Sequence, residues 1–279
     1  MKIAVLSGKG GTGKTFVSVN LAVAMGKSTY LDCDVEEPNG QLFFRPEIKE
    51  ERKITEMLPA FDKTKCNGCR KCVDFCKFNA LAFIGSRPYV FPEVCHPCGG
   101  CAMVCETGAV TEEPNEIGVI EIGRAGNVDF VSGRMNIGEA SGVPIIKGIL
   151  ANIPENRWII VDCPPGSGCM AMESISQVDY CILVAEPTEF GRHNLSMIYD
   201  LVQTFEKPLG VVLNKCTEEY NPSEAFCKEK NIDIVGRIPF SREIGRENAE
   251  GRIVYNIDNQ MKKEFDEIKK HIEDRQVIK

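Results

Sequence analysis

The sequence predicts an α/β layer sandwich with a mostly parallel sheet, built around a glycine-rich loop and interrupted by a small inserted α+β unit. Three observations carry this. Short apolar runs alternate with helix-like segments along most of the 279 residues. That rhythm suits a buried parallel sheet with helices on both faces. A glycine-rich stretch, SGKGGTGKT (7–15), joins the first apolar run to the first helix-like one. Finally, eight of the fourteen cysteines fall between positions 66 and 105, where the rhythm stops.

Taken in order, KIAVLS (2–7) reads as a buried strand and KTFVSVNLAVAM (14–25) as a helix. STYLD (28–32) reads as a second strand. WIIVD (158–162), YCILVAE (180–186), LGVVLN (209–214) and DIVGRI (233–238) read as later strands, with helix-like text at 190–206 and 222–229. In the tail, Ile257, Met261, Phe265, Ile268 and Ile272 recur at helical spacing. From Asp258 onward six basic residues are matched by six acidic ones. A membrane-surface helix is normally more basic, so this stripe is expected against the protein's own core.

The loop SGKGGTGKT has the context a P-loop needs, after a strand and at the start of a helix. Gly8, Gly10, Gly11 and Gly13 let the backbone turn tightly, and with Lys9 and Thr12 they present amides to phosphate oxygens. The helix amino terminus adds partial positive charge. Lys14 is expected on the β and γ phosphates and Thr15 on Mg²⁺. Asp162, at the end of WIIVD and before PPG, is a candidate second ligand to Mg²⁺ through water. A cap or turn role is its competing reading. Gly166 is expected to bring an amide near the γ phosphate.

The cysteine window repeats itself. Cys66, Cys69, Cys72 and Cys76 map onto Cys95, Cys98, Cys101 and Cys105 at an offset of 29 residues. Each run is C-x₂-C-x₂-C-x₃-C, the bacterial ferredoxin spacing, and thiolates are soft ligands suited to cubane clusters. Two 4Fe–4S clusters are therefore expected. Cys66, Cys69, Cys72 and Cys105 would hold one, and Cys95, Cys98, Cys101 and Cys76 the other. Zinc is the rival, since CxxC pairs also bind it. The usual Pro after the fourth cysteine is replaced by Lys77 and Glu106. A two-cluster ferredoxin-like insert is thus expected over 61–112, within an ATPase domain made of 1–60 and 113–279.

The extra lysine, Lys9 in GKGGTGKT, marks a deviant phosphate loop, and here the sequence resembles the MinD/ParA family of P-loop ATPases. That family includes nitrogenase iron-protein relatives and iron–sulfur carrier ATPases. LDCDVEEPN (31–39), DCPPG (162–166), LNK (213–215), GRIPFSREI (236–244) and GRMNIGEASGVPII (133–146) look familial too. The resemblance covers nearly the whole chain outside the insert. It implies a P-loop NTPase three-layer sandwich and an ATP-dependent homodimer. It also implies that Lys9 reaches the partner's phosphates, Asp34 positions the attacking water and Asn214 bonds the adenine edge. LNK lacks a following Asp, so a guanine-specific reading has no support.

The remaining cysteines include Cys33, Cys163 and Cys169, around LDCD and DCPPG. A dimer-bridging cluster like that of the nitrogenase iron protein is one reading of them. Ordinary buried thiols are the other. The carrier relatives' CxxC pair in the carboxyl half is absent.

A net charge of −7 argues against nonspecific nucleic-acid binding. No eighteen-residue apolar run suggests a membrane span. The apolar run at the amino terminus is short and flows into glycines, unlike a secretory leader, so a cytoplasmic location is expected. Three uses compete. Nucleotide-gated electron transfer to a redox partner comes first on chemistry. ATP-dependent assembly or delivery of iron–sulfur centres to an acceptor protein stands beside it. A regulatory adaptor with structural clusters is the third.

Overall fold

A computed structural model describes residues 1–151, 157–217 and 220–276. The last three residues of the predicted tail segment lie outside the described residues. In chain order the elements are β1 (Lys2–Leu6), α1 (Lys14–Ala24), β2 (Ser28–Asp32), α2 (Gly40–Phe44) and β3 (Glu47–Phe61). Next come α3 (Lys71–Phe75), β4 (Leu81–Ile84), β5 (Arg87–Val90), α4 (Gly100–Met103), β6 (Val110–Ala125) and β7 (Val128–Met135). Then follow α5 (Val143–Leu150), β8 (Trp158–Asp162), α6 (Cys169–Ile175), β9 (Tyr180–Ala185), α7 (Glu189–Thr204) and β10 (Leu209–Cys216). The chain closes with α8 (Pro222–Lys230), β11 (Ile234–Pro239), α9 (Arg242–Ala249) and α10 (Asn259–Gln276).

One nine-stranded sheet runs β11-β10-β9-β1-β8-β2-β7-β6-β3. From β11 to β7 every neighbouring pair is parallel, while β6 pairs antiparallel with both β7 and β3. Period-two alternation splits the strands between two cores. Ala4, Leu6, Leu31, Val161 and Leu183 pack with α5, α6 and α7 through Ile145, Ile149, Ile175, Leu195 and Ile198. Ile3, Val5, Ile160 and Ile182 pack on the other face with Phe16, Val17, Met261, Phe265 and Ile268 of α1 and α10. The result is the three-layer α/β sandwich of a P-loop NTPase.

Met261, Phe265, Ile268 and Ile272 are fully buried, so the tail stripe covers the protein's own sheet. Each such side chain contributes about 1.5–3 kcal/mol. Ile257 precedes the helix and is exposed.

The helices are stopped and started locally. Thr188 caps α7 by accepting the Gly191 amide at 2.9 Å, and Asn221 caps α8 by accepting that of Glu224 at 3.1 Å. α8 begins with Pro222 and ends on left-handed Asn231.

The cysteine-rich segment sits at the far end of the β3–β6 ribbon. The two strands pair from Glu47↔Arg124 to Phe61↔Val110. Between Phe61 and Val110 lie α3, the β4–β5 hairpin and α4, around a small cluster of Cys72, Leu81 and Val110.

The two expected 4Fe–4S clusters are corrected here. Among the described residues, no group of three or more His, Cys, Asp or Glu side chains is arranged to hold a metal ion. That finding covers Cys66, Cys69, Cys72 and Cys105 as one set, and Cys95, Cys98, Cys101 and Cys76 as the other. Spacing fixes where thiols lie along a chain, and does not by itself aim their sulfurs at one point. Cys69 and Cys98 stand exposed while Cys72 is buried. Burial raises the thiols of Cys72 and Cys101, and with Cys101, Cys76 and Cys98 nearby it raises Cys95 to about 11. Against the effect of burial, the Cys105 thiol is lowered instead, by hydrogen bonds from the Thr107 side chain and nearby backbone amides. A ferredoxin identity for the insert loses its basis with the clusters.

Candidate functional site

The site is built on the loop between β1 and α1. Gly11 and Gly13 adopt left-handed backbone, with φ of 75° and 100°. At Gly13 a Cβ would come 2.1 Å from Nδ2 of Asn214, so glycine is required on both counts. Asn214, at the end of β10, donates through Nδ2 to the Thr12 carbonyl at 2.8 Å and accepts the Lys215 amide at 2.9 Å. The Lys215 ammonium donates to the Gly11 carbonyl at 2.8 Å. The Ser7 and Thr12 hydroxyls both donate to the Lys9 carbonyl, at 2.9 and 3.2 Å. Strand β10 therefore props the loop from beside it, a role that spacing alone did not reveal.

Lys14 points inward and is buried. Its Nζ lies 2.8 Å from Oδ1 of Asp162 and 3.4 Å from Oδ2 of Asp34. Burial works to lower its pKa, but Asp162 and Asp34 outweigh it and hold the ammonium above its ordinary range. Asp34 is raised, first by burial and then by Asp162, against the pull of Lys14. Asp32 is raised to about 8 by burial and the Asp162 charge. Its Oδ2 accepts the Gly40 amide at 2.8 Å. Three acidic side chains thus crowd one ammonium.

Lys9 behaves differently. Its side chain is 32% exposed, 2.6 Å from Glu186 and over the Phe190 ring at 5.1 Å. Glu186 also pairs with Lys215 at 2.5 Å. Burial alone would raise the Glu186 carboxyl, yet hydrogen bonds and charge from Lys215 and Lys9 hold it below the usual carboxylate range.

A cavity of ≈ 440 Å³ opens over the loop, and its lining includes Lys9, Gly11, Lys14, Thr15, Asp34 and Asn248. Gly166 takes left-handed backbone, and its amide donates to the Ser7 carbonyl at 2.9 Å. Gly8 lies against Asn194 of α7. A Thr15 hydroxyl and the Asp162 carboxylate are hard oxygen donors, which fit Mg²⁺. Cys33 and Cys163 are fully buried and their thiols pushed well up, while Cys169 is exposed. Among the described residues these thiols form no metal group.

A buried lysine on a strand–loop–helix turn, facing acidic side chains at the ends of β8 and just beyond β2, defines a nucleotide-binding P-loop protein. The CobQ/CobB/MinD/ParA nucleotide binding domain model matches residues 3–254, and the chain belongs to that family. It is a P-loop ATPase. An uncharacterized protein of Methanocaldococcus jannaschii is 31% identical over 224 residues, covering 77% of this chain and 78% of its own. The iron–sulfur cluster carrier protein of the same organism is 24% identical over 291 residues, covering 97% and 83%. Among solved structures, the septum site-determining protein MinD of Pyrococcus horikoshii, complexed with Mg-ADP, has a TM-score of 0.60 at 19% identity, covering 97% of this chain and 94% of that one. Among the described residues no helix is long and apolar enough to cross a membrane.

Resident 4Fe–4S clusters, the iron–sulfur and ferredoxin character of the insert, and nucleotide-gated electron transfer are all corrected by the absence of a metal-holding group among the described residues. Electron transfer needs redox centres within the protein, and the site offers instead the machinery of ATP binding.

Proposed function

We propose that this ATPase is a homodimeric switch, closed by ATP, that handles iron–sulfur centres as cargo for an acceptor protein. The observation that carries the switch is the division of labour between two lysines of one loop. Lys14 is turned inward onto Asp162 and Asp34, while Lys9 stands at the rim against Glu186. A lysine at the rim supports the reading, implied by the MinD/ParA resemblance, that Lys9 serves a second chain.

In this reading Gly8 to Gly13 cradle the phosphates with their amides, and Lys14 moves from Asp162 to the β and γ phosphates. Thr15 and Asp162 would hold Mg²⁺, which would neutralise phosphate charge. Asp34 orients the attacking water. Its oxygen bonds to the γ phosphorus, the bond to the bridging oxygen breaks, and ADP and phosphate leave. The Gly166 amide exchanges Ser7 for the γ phosphate. Asn214 meets the adenine edge, exchanging its bond to Thr12. Lys9 of the partner subunit completes the site.

The cargo assignment draws on the iron–sulfur cluster carrier protein, which is similar along 97% of this chain. It also draws on the exposed thiols Cys69 and Cys98. We take 61–112 as a small thiol-rich domain spliced into an ATPase domain formed by 1–60 and 113–279, acting in the cytoplasm. The test is anaerobic transfer: protein pre-incubated with iron and sulfide is mixed with an apo-acceptor. ATP-dependent appearance of acceptor absorbance, lost in Lys14→Ala, supports cargo handling. Equal transfer with and without ATP refutes it.

A further inference from the structure

Tyr30 lies in β2 and is fully buried, its ring packed against Phe44 and Phe130 with centroids 4.9 and 5.8 Å away. Its hydroxyl crosses to the neighbouring strand and donates to Oδ2 of Asp162 at 2.8 Å. The register sets Tyr30 opposite Ile160 and Asp32 opposite Asp162, so all four share one face of the sheet. Close packing fixes the phenol: a Cβ at Gly40 would stand 2.5 Å from Cε1 of Tyr30 and 2.9 Å from Oδ2 of Asp32.

The two oxygens of Asp162 are thereby divided. Oδ1 meets Lys14 at 2.8 Å and Oδ2 meets Tyr30. A buried carboxylate needs donors on its oxygens. Phenylalanine would fill the same aromatic pocket, so packing does not explain the hydroxyl. Lys14 is a mobile partner in an ATPase, because the phosphates compete for it. Tyr30 is not, because its ring is enclosed. We propose that Tyr30 is a positioning residue of the magnesium site: its O–H pins Oδ2 of Asp162 and keeps Oδ1 turned to the loop after Lys14 leaves. The proposal rests on reading Asp162 as the carboxylate of that site.

The experiment uses Mn²⁺ as a paramagnetic probe, titrated by EPR into the ADP-loaded full chain. In Tyr30→Phe the Mn²⁺ concentration at half-saturation rises about tenfold, the scale for losing a bond that orients a ligand. ADP affinity in EDTA stays unchanged. Tyr180→Phe is the control, because the Tyr180 hydroxyl is buried without a partner among the described residues, and it leaves Mn²⁺ affinity unchanged. Asp162→Asn separates the two layers of the argument. If Asp162→Asn weakens Mn²⁺ and folded Tyr30→Phe does not, the role of Tyr30 is overturned. If neither weakens it, the reading of Asp162 fails and the role of Tyr30 with it. Should Tyr30→Phe not fold, fluorotyrosine at position 30 keeps the hydroxyl. Its fluorine resonance should shift when Mg²⁺ joins the ADP-loaded protein, and an unmoved resonance overturns the proposal.

Discussion

Lys9 and Glu186 form an ion pair of 2.6 Å at the rim of the nucleotide cavity, and Glu186 is shared with Lys215 at 2.5 Å. The carboxylate therefore ties the loop after β1 to the end of β10. It also occupies the lysine that distinguishes this loop.

The pair predicts a pH dependence. The folded-state pKa of Glu186 is depressed, because Lys215 and Lys9 outweigh burial. Its contribution is present above the unfolded value of about 4.3 and is lost as pH falls through the lower folded value. The pair is partly open to solvent, so Glu186→Gln should cost only ~0.5–1 kcal/mol at neutral pH. Urea unfolding checks this: the gap between wild type and variant should close as the solution is acidified below the folded pKa.

Lys14→Ala should have a larger effect. It strips the ammonium from buried Asp162 and from Asp34. Leaving a buried charge without its partner costs about 3–5 kcal/mol, less whatever protonation recovers. Calorimetry should detect no ATP binding by the variant that remains folded.

Gly13→Ala should fail for two reasons that add. Its φ of 100° strains any side chain, and its Cβ would meet the Asn214 amide. The expected loss is about 1–3 kcal/mol from backbone strain, together with loosened nucleotide binding. Asn214→Ala removes the bond to Thr12 but not the strain. It should cost about 1 kcal/mol and narrow any preference for ATP over GTP.

Removing Mg²⁺ should be silent for the free protein and visible for the loaded one. A ligand stabilises only the state it binds. EDTA should therefore leave the melting temperature of nucleotide-free protein unchanged, lower that of the ATP-bound protein, and stop hydrolysis.

Much of this was legible in the sequence where one strand or one loop decides. KIAVLS and WIIVD show buried parallel strands by composition alone, and the glycines of 8–13 need their loop. The β3–β6 ribbon was hidden for a physical reason. Strand β3 is an edge strand, with charges on both faces of EIKEERK and Pro59 inside the pairing, which reads as connecting text. The contacts that shape the site join distant positions: Tyr30 with Asp162, Asn214 with Thr12, Glu186 with Lys9. No local period signals them, and tyrosine in a strand reads as one more apolar residue. At the cysteines the sequence suggested too much. The repeat is real, but among the described residues it does not produce a metal-holding group.

Lys9→Ala should keep most of the ATP affinity, because Lys14 remains, while losing hydrolysis. Equal hydrolysis in the variant would remove Lys9 from the mechanism.

The central claim is that ATP closes two chains on one another, and the most direct test is the mass of Asp34→Ala in solution. Asp34 lines the cavity and touches Lys14. Its loss should allow ATP to bind without turnover and so trap the closed form. Light scattering should give a doubled mass with Mg-ATP and a single-chain mass with Mg-ADP. An identical mass in both would contradict the account.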